Sequence, residues 1–501
     1  MNERRTGRRG VTVVICLVLA MAVLAGAVLV ATARSSRTAA PRVASSTDAG
    51  PVYATSRPGA GSAKVFAHYF PPYPISLDNR APDSDYYASQ YLDPSGEGGA
   101  HAAYGGLLRD RPVGRAPEAG DWKLTDLEKE VRQASATGID GFTVDVLSYS
   151  GENWDQTLRL ERAAERIHNG FVVVPNLDMT TSSGKSDLDV TAAKLTQLFR
   201  SSAAYRLNDG RYVLSTFKAE ARSPEWWRQL ESAMTSRYGI RLALISVLLD
   251  ASDANLRSYA PASYMLSSWG VRDVASLPRV AGEQALAHRL GVKWMEPVAV
   301  QDDRPRAGVY AESGNTELLR DGWKQAIRGR ADAVQLVTWN DYSEGTQFAP
   351  SVSHGRAFLD ISAYFIEWLK TGDAPKVEGD ALYLTYRTQM AKTRPSGGQT
   401  LLMAPTLDGS LTAPRNEVEV LTFLTRAADV TISVGGRSVR YQAPAGVGVR
   451  LVPLRPGKVT VALARAGDPV LEVAGSAAVV SRPVVQNLDY RAVGVTTGRS
   501  R

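Results

Sequence analysis

From residue 64 the chain alternates short runs of Val, Ile and Leu with longer segments whose apolar positions recur every three or four residues. The short runs predict strands at 64–70, 139–147, 170–179, 211–217, 241–250, 264–270, 292–300 and 331–341. Their continuous apolar character is that of strands buried on both faces. The periodic segments predict helices at 125–138, 155–167, 189–201, 278–291, 316–329 and 356–370. Another helix opens at Ser223 and Pro224, as N-cap and first helical residue. Thr125 and Glu128 have the spacing of a capping box. Eight strands interleaved with helices predict a (β/α)8 TIM barrel over 62–374. A doubly wound sheet would carry a Gly-rich phosphate turn after its first strand, and "HYFPPYP" stands there instead.

Beyond residue 375 the period shortens to two, in short segments broken by Gly, Pro and Asp. That pattern predicts a β-sandwich accessory domain over 375–501, giving an α/β barrel followed by an all-β module. Before the barrel, "RRTGRRG" precedes an apolar run over 11–33, read as a signal-anchor or a signal peptide over 1–33. The run is long enough to span a bilayer. Residues 34–61, rich in Ala, Ser, Thr and Pro, read as a flexible linker. These features predict an extracellular or cell-surface protein, membrane-anchored by residues 11–33 or secreted after cleavage.

Charge changes the picture little. The formal net charge is +7, but the first 45 residues hold seven arginines against Glu3 alone. The near-neutral remainder lacks the basic footprint of a nucleic-acid binder. The one cysteine, Cys16, lies in the apolar run, which excludes a thiol nucleophile and a disulfide in the body. Five histidines show no metal-ligand spacing, and "SSGKS" lacks the upstream Gly of a P-loop. No metal and no cofactor is expected, and the chain is read as a monomer.

Chemistry in such a barrel sits at the C-terminal ends of the strands. Those ends offer His68 and Tyr69, Asp145, Asn176 and Asp178, Lys218, Trp269, Glu296, and the cluster Trp339, Asn340, Asp341, Tyr342 and Glu344. Carboxylates, amides and aromatic faces converging on one mouth suit a polysaccharide. Asp341 and Glu344 also have capping-box spacing, but the "GTQFAP" that follows continues no helical pattern.

The motif Trp339-Asn340-Asp341-Tyr342-Ser343-Glu344 resembles the Trp-Asn-Asp-Tyr-Gly-Glu signature of glycoside hydrolase family 71, the α-1,3-glucanases or mutanases, with Ser343 departing from Gly. Ala67-His68-Tyr69, Gly138-Ile139-Asp140-Gly141-Phe142, Asp178 and Ser215-Thr216-Phe217 match further stretches; Asp145 stands where the family usually has Asn. The resemblance implies an inverting hydrolase whose carboxyl pair is Asp341 and Glu344; the sequence does not fix which is acid and which base, and Glu344 is favoured as the acid. In inversion such a pair stands roughly 6.5–9.5 Å apart with a water between. Two other readings remain open at this point. One is a family 99-like endo-α-mannosidase, whose motif also sets two carboxyls three apart. The other is a non-catalytic glycan-binding protein. The long segment after the first strand, crowded with Asp85, Tyr86, Tyr87, Tyr91 and Tyr104, is expected to wall the cleft.

Overall fold

The computed structural model describes residues 51–55, 63–405 and 413–498. Eight parallel strands close a barrel: β1 (Lys64–Tyr69), β2 (Gly141–Val146), β3 (Val172–Asp178), β4 (Tyr212–Phe217), β5 (Leu242–Leu248), β6 (Met265–Ser268), β7 (Lys293–Ala299) and β8 (Ala333–Val337). β1 closes the ring by pairing with β2 on one side (Phe66 opposite Gly141) and β8 on the other (Lys64 opposite Ala333). Gly141 is required there, because a Cβ would lie 2.4 Å from the Val172 carbonyl oxygen of β3.

Alternation along each strand separates two layers. Phe66, Val174, Val213, Ile245, Val247, Met265, Met295 and Ala333 cluster inside the barrel. Val65, Val144, Leu336 and Trp294 pack outward on the helices. The helix Glu317–Gly329 shows how the outer layer forms: Leu318, Leu319, Gly322, Trp323 and Ala326 bury one face. The helix before β2 spans Trp122–Ala136, three residues earlier than its pattern suggested. Asp121 rather than Thr125 is its N-cap, its carboxylate accepting from the Leu124 amide.

Two four-stranded antiparallel sheets follow. One runs in the order Gly446–Pro453, Glu417–Leu424, Ala381–Tyr386, Arg491–Thr496. The other runs Arg437–Ala443, Ala428–Val434, Val459–Arg465, Asp468–Ala474. Leu382, Leu384, Val418 and Val420 meet Val430, Ile432, Val461 and Leu463 in their shared core. The first sheet buries its other face as well. Tyr383, Leu421 and Phe423 join the barrel's core against the helix Ala357–Thr371, with Phe423 edge-on to Tyr364 at 5.1 Å.

The described residues correct two expectations. Val52 and Tyr53, read as linker, are buried in the barrel core, and Tyr53 bridges to Val377. Among the described residues no helix is long and apolar enough to cross a membrane, which overturns the expected membrane partner and membrane-anchored location. The run 11–33 on which that expectation rested lies outside the described residues.

Candidate active site

The inward positions at the C-terminal ends of β1, β2 and β3 deliver His68, Asp145, Asn176 and Asp178 to one place. His68 Nε2 lies 3.7 Å from Asp145 Oδ2, and Asn176 Nδ2 donates to Asp145 Oδ1 at 3.2 Å. Asp178 accepts from the Thr180 amide and hydroxyl. Burial raises its pKa and the charge of Asp145 raises it further, against those two hydrogen bonds. Trp269, just past β6, packs edge-on to both His68 and Phe217, at 4.9 and 4.8 Å. The buried Asn176 Oδ1 has no hydrogen-bond partner among the described residues, so an acceptor faces this mouth unused. Lys218 follows β4 in a left-handed conformation, half-buried, its carbonyl accepting from the Ala221 amide while its side chain makes no ion pair or hydrogen bond among the described residues.

On the β8 side the chain turns after Thr338. The Thr338 hydroxyl accepts from the Asp341 amide at 2.8 Å. The Asp341 carboxylate then accepts from the Ser343 amide at 3.0 Å, the Ser343 hydroxyl at 2.6 Å and the Glu344 amide at 3.3 Å. Gly345, at φ +64°, reverses the chain in a conformation that disfavours a side chain. This turn carries the Glu344 side chain round to Arg304, whose Nη1 lies 2.8 Å from Glu344 Oε1.

Burial raises the Asp341 pKa, opposed by both Ser343 hydrogen bonds and by Arg304. Glu344 is raised to about 8, first by burial and then by the charges of Asp341 and Asp302, against Arg304 and Arg272. About a quarter of the Glu344 side chain (27%) remains open to solvent. Three donors favour the ionised form of Asp341, while Glu344 faces two negative neighbours. Of the two, Glu344 is therefore the one that keeps its proton near neutral pH.

Three residues of this site were not singled out in the sequence. Asp302, fully buried, bridges two arginines: Arg304 by two hydrogen bonds of 2.7 Å, and Arg272 at 3.0 Å. Arg272 in turn donates to the Trp269 carbonyl, so contacts run unbroken from His68 through Trp269 to Glu344. Asp302 and Arg304 sit on a hairpin, Asp302–Arg304 with Val309–Ala311, in the loop after β7. The signal available was the polar run "QDDRPR" at a strand's C-terminal end.

The family model described as glycosyl hydrolase family 71 matches residues 116–500. The chain belongs to glycosyl hydrolase family 71. It is thus a glycoside hydrolase, and the resemblance drawn from the motif around Asp341 holds. Among relatives of this family 71 chain, the "glucan endo-1,3-alpha-glucosidase agn1" of Schizosaccharomyces pombe is 22% identical over 66% of this chain and 82% of its own length. The "mutanase Pc12g07500" of Penicillium rubens is 22% identical over 75% of this chain and 86% of its own. Among solved structures, the family 99 endo-alpha-mannosidase of Bacteroides thetaiotaomicron is 16% identical, covering 61% of this chain and 97% of that one, with a TM-score of 0.46.

The remaining expected site residues of the family 71 chain lie away from the mouth. Glu296 points outward from β7, where it accepts from the Trp294 indole and from Gln325 Nε2 at 2.8 Å. It is fully buried between barrel and helix, so it touches no cleft. Trp339 and Tyr69 are also fully buried, and both donate to Glu130 on the helix Trp122–Ala136, at 3.1 and 3.0 Å. Neither ring is available for stacking on a sugar. Asn340 clamps the segment after β1, accepting from the Phe70 amide at 2.7 Å and donating to the Phe70 and Tyr73 carbonyls at 2.9 Å. Tyr342 is buried under the long first loop, packed with Tyr73, Tyr87 and Leu108. That loop therefore lies at the C-terminal end of β8. Among the described residues no group of three or more His, Cys, Asp or Glu side chains could hold a metal ion.

Proposed function

We propose that this family 71 enzyme hydrolyses α-1,3-linked glucan with inversion, using Glu344 as general acid and Asp341 as general base. The observation that carries the reading is the asymmetry of the pair. Asp341 is held by three donors of its own turn, whereas Glu344 is pushed to about 8 beside it. Glu344 gives its proton to the leaving glycosidic oxygen. Asp341 takes a proton from the water that attacks the opposite face of the sugar. His68, Asp145, Asn176, Asp178, Lys218 and Trp269 then hold the sugar beside the pair. The Schizosaccharomyces pombe relative, an endo-1,3-alpha-glucosidase by name, supports the linkage. In this reading residues 62–374 are the catalytic barrel and 375–501 its accessory module.

The test is incubation of the chain with insoluble α-1,3-glucan, other α- and β-glucans and α-mannan, following reducing ends. Proton NMR of the first products reads the anomer released. Release of β-anomeric sugar from α-1,3-glucan is expected. Release from α-mannan alone, or an α-anomeric first product, overturns the reading.

A further inference from the structure

A second pair of carboxyl groups lies directly behind the turn that carries Glu344, and one member comes from the C-terminal module. Asp303 and Asp489 are both buried and approach the same point: a Cβ built at Gly345 would touch both side chains. Asp303 Oδ1 and both carboxyl oxygens of Asp489 find no donor among the described residues. Two neighbouring carboxylates do not both ionise readily in a buried site, and a single proton between them would supply the missing donor.

The pair touches the catalytic turn from two directions. The Asp303 amide donates to the Glu344 carbonyl at 2.8 Å. A Cβ at Gly345 would lie 3.3 Å from both the Asp303 Cβ and Asp489 Oδ1, so the pair is packed against the glycine itself. Asp489 is held in place by its neighbours. The Tyr490 amide donates to Gln301 Oε1 at 2.9 Å, and Arg387 Nε donates to the Leu488 carbonyl at 2.6 Å.

We propose that Asp489 and Asp303 share one proton, and that this buried bond fixes the Gly345 turn and with it the position of Glu344. Both are positioning residues, and the catalytic consequence rests on the role given to Glu344 above. The groups facing the pair are Asp302, Asp110, Arg109, Arg387, Arg491 and the Tyr310 phenol. The three arginines offset the negative charge the pair keeps while it holds its proton. Burial and mutual repulsion raise both carboxyls, Asp489 to about 6 and Asp303 well above its ordinary range. Both shifts favour retention of the shared proton, and raising the pH works against it.

The turn reports on the pair without any substrate, through the amides of Thr346 and Phe348, which donate to the Asp341 and Thr338 carbonyls. Hydrogen exchange over residues 338–348, corrected for intrinsic base catalysis, is measured at pH 6 and pH 9 on wild type, Asp489→Asn and Asp489→Ala. Wild-type protection should fall at least about tenfold between the two pH values. Asp489→Asn supplies a donor that does not titrate, so its protection should hold at both. Asp489→Ala should lack protection at both, and on α-1,3-glucan its kcat should fall at least about tenfold with KM within about twofold. Two outcomes overturn the proposal: the Asn variant keeps the wild-type pH dependence, or the Ala variant keeps wild-type protection at pH 6. If the Ala variant does not fold, the comparison of wild type with Asp489→Asn decides. A wild type inactive on glucan counts against the substrate reading alone, and the exchange data still judge the pair.

Discussion

Arg304 reaches Glu344 with Nη1 at 2.8 Å while Asp302 holds the rest of its guanidinium. A cation thus sits against the very carboxyl that the site otherwise pushes toward its protonated form. Burial, together with the balance among Arg304, Asp302 and Asp341, sets the pH at which Glu344 loses its proton.

That balance has a sign that can be measured. Glu344 must be protonated to act as an acid, so kcat/KM should fall as pH rises through about 8. Arg304→Gln removes a charge that favours the carboxylate, and should move the alkaline limb to higher pH. Asp302→Asn removes a charge that disfavours it, and should move the limb lower. Profiles on a soluble α-1,3-glucan oligosaccharide would show both shifts. Shifts in the same direction, or none, would separate this limb from Glu344.

The pair itself is tested by nearly isosteric change. Asp341→Asn and Glu344→Gln should each slow hydrolysis by at least about a hundredfold, the usual span of general acid or base help being 10²–10⁴. Both variants should keep the fold and still bind glucan. Loss of Glu344 should matter less with substrates whose leaving group needs no proton. Azide added to Asp341→Ala should restore turnover and give an inverted glycosyl azide. A near wild-type rate in either variant would leave the two carboxyls without their roles.

Glu130 predicts a stability effect away from the mouth. It accepts from the Trp339 indole and the Tyr69 hydroxyl, and burial raises its pKa to about 8 despite both bonds. An unfolded Glu titrates near ~4.3. Between those values the folded state binds the extra proton, so wild-type stability falls as pH rises and levels off above about 8. Glu130→Gln removes that titration. Its melting temperature relative to wild type should therefore rise from pH 5 to pH 9. A gap that stays constant over that range would show that Glu130 does not titrate in the window.

The barrel was legible because its strands are buried on both faces and so read as unbroken apolar runs. The site was legible only where a strand still governed side-chain direction. His68, Asp145, Asn176 and Asp178 lie at inward positions of β1 to β3, two residues apart within β3, and the structure brings them together. Glu296 lies one residue from the inward Met295, and that parity already turned it outward. Trp339 lies past the end of β8, where alternation no longer predicts direction, and its indole turned to Glu130 instead of the cleft. The hairpin bearing Asp302 and Arg304 could not be read locally. Its strands have three residues each and are stabilised by pairing of Val309–Ala311 with Ala404–Pro405, far along the chain. Strand Glu417–Leu424 looked half-exposed by its sandwich pattern, yet seven of its eight residues are buried, because the helix Ala357–Thr371 covers the face expected to meet water.

That covered face argues that the barrel does not stand without the C-terminal module. Arg387, wholly buried, pairs with Glu312 at 2.7 Å, and the Tyr490 hydroxyl donates to the same carboxylate at 2.7 Å. Arg320 of the barrel helix Glu317–Gly329 pairs with Glu419 at 3.2 Å. Removing one partner of a buried ion pair costs about 3–5 kcal/mol, because the other charge is left without compensation. A chain ending at residue 374 would lose both of these pairs. It would also expose Tyr364 and its apolar neighbours on the helix Ala357–Thr371. Such a chain should be recovered as aggregate, or as a species without a cooperative melting transition, and without hydrolytic activity. The single change Arg387→Met, which keeps the volume but strands Glu312, should lower the melting temperature by several degrees while the chain still folds. A barrel ending at residue 374 that melts cooperatively near the full-length temperature would show that the two modules are energetically separate, and that the buried pairs across them contribute little.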